Sequence, residues 1–359
     1  MKIILRSGAA TAAIGVGLSL AVLPAVPAGA AAAIRVPCND ITALKNAINR
    51  ANASANAGRI VLASHCTYSL TAPDNADDGL PEITGDVTIT GRDTTIRRAP
   101  SATQDFRIFH VVSGGTLTLN SITVSGGRLS LADTMGGGIA NTNGTLNLNR
   151  SIIRGNEASQ GGGVHNFGGR LNLDRTTVER NTNTTVGATA GGGVFNTDSG
   201  TMKMRGGSLI NNRSPIGNGG GLENIRQATA HLNSVSVRGN TALLGGGIRQ
   251  TQRGVLRLTS STVSNNVAVS GAGLSNLDST ATLMRSLVTR NTAINNGGGI
   301  DNPPPSRVTL IDSKVIRNTP DNCSPAGSVP GCTNPDPANA VTLPAPQLPA
   351  PATESKSRR

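Results

Sequence analysis

The chain has 359 residues, only 1% of them aromatic, with 45 glycines and a formal charge of +12. Its 36% hydrophobic residues, together with the glycines, make it too apolar for a disordered chain, and its length would allow two or three domains. The scarcity of aromatic residues excludes a core built on large rings and a sugar platform built on ring stacking. That leaves thin layers of Leu, Ile, Val and Ala, as in a solenoid.

Residues 1–30 read as an export signal. Lys2 and Arg6 form a positive start, an apolar stretch runs from Ala9 to Val26, and Ala28-Gly29-Ala30 is a cleavage site. No stop-transfer pattern follows, so the mature chain is expected to be secreted or extracellular, in association with a cell surface, and not membrane-embedded. The cysteines fit an oxidising compartment. Cys38 and Cys66 lie near the mature N-terminus, and Cys323 and Cys332 near the C-terminus. Three connectivities are open. Pairing within each end is favoured, because a solenoid holds its two ends far apart. No C-x-x-C occurs and only His65 is near a cysteine, so no metal or other cofactor is expected.

Residues 31–80 read as an N-terminal cap. Asp40 can cap a helix whose Ile41, Leu44, Ile48 and Ala51 share one face. Ile60-Val61-Leu62 and Tyr68-Ser69-Leu70 follow as strands.

Residues 81–320 carry the repeat. A Gly-Gly-Gly start, or Gly-Ala-Gly at Gly271, recurs at Gly136, Gly161, Gly191, Gly219, Gly245, Gly271 and Gly297, and each is followed by Ile, Val or Leu. The spacings are 25, 30, 28, 26, 26 and 26 residues, the longer two being loop insertions around Thr185 to Ala190 and Ser214 to Asn218. Within a copy, Leu146 and Leu148 or Leu171 and Leu173 alternate at period two, the mark of a half-buried strand. One copy cannot bury its own apolar face, but stacked copies can. The glycines and β-branched residues exclude helical repeats. The expected fold is all-β, a right-handed parallel β-helix of 8–9 coils with a short capping helix.

Two asparagine series set the register. Asn141, Asn166, Asn196, Asn224, Asn276 and Asn302, with Gln250 in the gap, follow the glycines. Asn156, Asn181, Asn212, Asn240, Asn266, Asn291 and Asn318 close the second strand. An amide both donates and accepts, so each series predicts a ladder. Beyond residue 320 the Pro- and Ala-rich stretch 321–359 reads as a tail.

The glycine-Ile/Val start with an apolar-x-x-Asn close resembles the repeat of polymorphic outer-membrane proteins, within the pectin-lyase-like superfamily. The matching pieces include Gly137-Gly138-Ile139 with Ile153-Arg154-Gly155-Asn156, and Gly162-Gly163-Val164 with Val178-Glu179-Arg180-Asn181. The resemblance implies a β-helical surface or adhesion protein.

No catalytic residue is assigned. Asn196-Thr197-Asp198 lacks the companion motifs of polygalacturonase-like sites, and Asp77-Asp78 lies in the cap. Asp198 with Glu223, and Asp278 with Asp301, lie on adjacent coils without sharing a column, and His65, His110, His165 and His231 read as surface or turn residues. Arginine is more regular: 27 of the 32 basic residues are Arg, and loss of Lys2 and Arg6 still leaves +10. Arg154, Arg180, Arg238, Arg290 and Arg317 precede the closing Asn, and Arg150, Arg175, Arg205 and Arg285 form a second series. Guanidinium groups suit carboxylate and phosphate, so both series are candidate polyanion sites. The expected partner is an acidic polysaccharide or cell-wall polymer held by a non-catalytic monomer. Nucleic acid is not expected, because stacking aromatics are missing. A polysaccharide lyase or glycoside hydrolase, and a structural spacer without a ligand, are the alternatives.

Overall fold

The computed structural model describes residues 33–129, 135–184 and 191–335. The expected leader, the insertion at 185–190 and the end of the tail lie outside the described residues. The alternating segments form parallel strands that stack coil upon coil. About 10 turns result, close to the 8–9 expected.

Three parallel sheets run along the stack. The long sheet takes the alternating segments, such as Thr145–Asn149 and Arg170–Glu179. Its inward residues stack in register, Leu119 on Leu148 and Leu148 on Leu173, and all three are buried. The glycine sheet takes the strands after the triplets, such as Ile139–Thr142 and Val164–Phe167. A short third sheet takes segments such as Thr241–Leu244 and Val267–Ser270. Rungs spaced about 4.8 Å apart leave room for one aliphatic layer per coil, which suits Leu, Ile and Val.

The triplet glycines meet two demands. Gly161 and Gly191 have φ of +63° and +52°, where a side chain is strained. Gly162 faces the next coil so closely that a Cβ would sit 2.3 Å from the Thr182 carbonyl oxygen.

The asparagines point inward and are fully buried. In the second series each Nδ2 donates to the Oδ1 one coil on, at 3.0 Å from Asn156 to Asn181 and 2.9 Å from Asn291 to Asn318. Each Oδ1 also accepts from the backbone N–H of the preceding asparagine, as Asn212 does from Asn181 at 3.1 Å. The ladder starts where Asn156 accepts from Gly127 N–H, and ends where Asn318 donates to Asn322 and Asn322 to the Thr333 carbonyl. The first series is interrupted. Asn141, Asn166 and Asn196 each donate to the next amide, but Asn224 donates to the carbonyls of Ala228 and Val255, and Gln250 Oε1 has no partner. It resumes from Gln250 to Asn276 and Asn302, whose Nδ2 donates to the Ser328 carbonyl.

At the N-terminal end, Ile34–Val36 and Gly58–Leu62 already pair in the long sheet. Between them runs α1 (Ile41–Asn52), capped by Asp40, whose carboxylate accepts from Ala43 N–H at 2.8 Å. It buries Leu44, Ala47, Ile48 and Ala51, with Ile41 half-buried at its start. Both disulfides form within their own ends, Cys38–Cys66 and Cys323–Cys332. Cys323–Ser324 pairs with Ile300–Asp301 as the last strand of the glycine sheet, so the chain just beyond residue 320 belongs to the stack.

Candidate functional site

The structure divides both arginine series. Arg154 pairs with Glu179, Glu179 with Ile210 and Ile210 with Arg238, so Arg154 and Arg238 share a strand column with a carboxylate and an isoleucine. Arg180, Arg290 and Arg317 sit one residue later, in left-handed turns with φ of 52°, 56° and 58°. Arg150, Arg175 and Arg285 likewise occupy a left-handed turn, with φ of 48–49°. Arg205 is in a strand instead, paired with Asp174 and Asn233. Counting back from the closing Asn merged strand and turn positions that the backbone separates. The two series read from sequence thus lie on two exposed edges, apart from Arg205.

Arg205 belongs to a different group. Lys203 pairs with His231 and His231 with Arg257 on three successive rungs of the long sheet. All three side chains face solvent, with Arg205 two residues along on the same face. These four line a shallow groove with Asn233 and Thr259 and no carboxylate. Burial, then Arg257 and Lys203, lowers the pKa of His231. This group was legible as three basic residues at one register position, but only once the rung offsets were known.

The glycine sheet has an outward column of another kind. His110, Ala140, His165, Phe195, Glu223, Arg249, Ser275 and Asp301 stack in register. Most are buried although they face away from the core. The incoming chain folds back over them at the first glycine: a Cβ on Gly219 or Gly245 would sit 2.5 Å from the Glu223 or Arg249 Cβ. Glu223 is wholly buried, meets Arg249 Nη1 at 2.6 Å and accepts from Gly191 N–H at 3.1 Å. His165 is 1% exposed, and neither ring nitrogen has a hydrogen-bond partner. It packs 5.1 Å from the Phe195 ring, and burial lowers its pKa to about 3. Burial raises the pKa of Asp301, and Asp321 raises it further.

The carboxylates considered for catalysis do not converge. Asp198 meets Arg226 Nη1 at 3.2 Å, so it and Glu223 are each answered by an arginine on the following coil. Asp77 and Asp78, set aside in sequence as cap residues, do join a cluster. Arg107 bridges them, with Nη1 3.1 Å from Asp78 Oδ1 and Nη2 on Asp77. His110 Nδ1 lies 3.6 Å from Asp78 Oδ2 and 3.4 Å from Glu82 Oε1. Its Nε2 lies 3.2 Å from Thr142 Oγ1 on the next coil. The signal for this cluster was the offset that pairs Asp78 with Arg107 and Ile83 with Val111, in coils without glycine triplets to mark it. His110 and His165 are thus not the surface or turn residues read from sequence; coil stacking encloses both.

Fold and surfaces together define an all-β parallel solenoid with a disulfide at each end. Compared with family models, curated proteins and solved structures, the chain matches none.

Proposed function

We infer that the chain is an exported, non-catalytic surface protein that holds an extended polyanion, an acidic polysaccharide or wall polymer, along its long sheet. The observation that carries this reading is the Lys203, Arg205, His231 and Arg257 group. Lys203, Arg205 and Arg257 gather positive charge within three rungs, and no side chain lining the groove is acidic to offset it. The edges carrying Arg150, Arg175 and Arg285, and Arg154, Arg180, Arg238, Arg290 and Arg317, extend the positive surface. The two disulfides suit an oxidising compartment, and among the described residues no helix is long and apolar enough to cross a membrane. The resemblance to polymorphic outer-membrane protein repeats supports the surface role.

The test is co-sedimentation with polygalacturonate, alginate and teichoic acid at low and high salt. Binding should fall about tenfold or more from 50 to 200 mM salt, and about tenfold in Lys203→Ala/Arg257→Ala. Binding to none of these polymers, or binding unchanged in the variant, would overturn the reading. A lyase or hydrolase is the second reading, favoured by the convergence of Asp78 and Glu82 on His110. Product release from the same polymers, lost in His110→Ala, would establish it in place of the first.

A further inference from the structure

We propose that Asp78, Glu82 and His110 form a binding site for a divalent transition-metal ion, with zinc as the first choice. One ligand atom from each lies within 4.8 Å of the other two. In a tetrahedral site with bonds of about 2.1 Å, ligand atoms lie about 3.4 Å apart. His110 Nδ1 is 3.4 Å from Glu82 Oε1 and 3.6 Å from Asp78 Oδ2, so two edges of that tetrahedron already exist.

The surroundings support the same ion. In the Nε2–H tautomer His110 donates to Thr142 Oγ1 and turns its Nδ1 lone pair toward the carboxylates. Asn75 holds the loop in place: its Nδ2 donates to Asp78 Oδ2 at 2.9 Å, and its Oδ1 accepts from the Asp78 N–H at 3.0 Å. Asp78 is 1% exposed, and its Oδ1 accepts no well-formed hydrogen bond although Arg107 is adjacent. Charge gives the third argument. Asp77, Asp78 and Glu82 contribute three negative charges against one guanidinium, and Asp74 is already paired with Lys45 at 3.2 Å. A divalent ion closes that difference, whereas a proton on His110 closes half of it. An imidazole with two carboxylates suits zinc or manganese better than calcium, which takes oxygen ligands. Glu82 is half-exposed, so an ion can reach the cluster from its side.

The test uses the full chain without a histidine tag, stripped with chelator and dialysed against zinc. Metal analysis should find about one zinc per chain, retained in the presence of excess calcium, and zinc should raise the melting temperature. Glu82→Gln should weaken binding at least tenfold and His110→Gln should abolish it. His65→Gln, which alters the exposed His65–Asp93 contact, should leave binding unchanged. Glu82 is half-exposed, so its variant tests the site even if His110→Gln fails to fold. The proposal is overturned if the wild type retains no zinc, or if Glu82→Gln binds as tightly as wild type. It is equally overturned if His65→Gln is the variant that loses the metal.

Discussion

Two buried polar columns stack along the coils, and they solve the same problem in opposite ways. Inside, the Asn156-to-Asn318 column repeats one group, and every amide meets its copy one coil on. Outside, on the glycine sheet, the group changes at each coil: His165, Phe195, Glu223, Arg249. A group that is both donor and acceptor satisfies itself by repetition. A carboxylate or an imidazole does not, so Glu223 needs the particular residue Arg249, and His165 has no hydrogen-bond partner at all. Repetition therefore makes the inner column robust, while the outer one depends on particular partners at each coil.

The largest break should come from the outer column. Arg249→Ala strips the guanidinium from a fully buried carboxylate and should cost about 3–5 kcal/mol in denaturant unfolding at pH 7. Next is acid. His165 binds its proton only near pH 3 in the folded chain but near 6.5 when unfolded. The unfolded state therefore takes up the proton first. This group's contribution is intact above about 6.5 and is lost as pH falls toward 3, at a slope approaching 1.4 kcal/mol per pH unit. His165→Phe should flatten that limb, by about 3 kcal/mol at pH 4, without loss of stability at pH 7. An unchanged acid limb in the variant would show that His165 does not titrate in this way.

The inner column should respond less. Asn212→Ala removes the acceptor of Asn181 and the donor to Asn240, so a cost of about 2 kcal/mol is expected. The smallest effect sharpens the comparison from the other side. Gln250→Asn restores the repeated side chain at the interruption and should gain up to about 1 kcal/mol, read as a higher denaturation midpoint. A loss there would mean that the longer side chain at this coil has a packing role of its own.

What was legible in the sequence divides along the same line. Leu146, Leu171, Gly161 and Asn181 belong to a repeat of 25–30 residues, so fold, register and the ladders follow from counting, and the separated ends of a solenoid pointed to the two disulfides. The outer residues recur at no period. Nothing in the local sequence of Asp78 or His110 shows that a coil of stacking brings them together, and the first coils lack the triplet that marks phase elsewhere. The arginines failed differently. Arg154 and Arg180 are both near an Asn, but one precedes it by two residues and the other by one. That single step moves a side chain from strand to left-handed turn.

The amide ladders also have a direction. Every amide-to-amide hydrogen bond runs from an Nδ2 or Nε2 to the Oδ1 one coil nearer the C-terminal end in both ladders. The rod is thus a vector, with acceptors at its head and donors at its tail. The last donors are satisfied at once: Asn302 Nδ2 donates a hydrogen bond to the Ser328 carbonyl and Asn322 Nδ2 to that of Thr333, in and just after the loop closed by Cys323 and Cys332. The C-terminal loop therefore supplies the acceptors that the last amide of each ladder would otherwise lack.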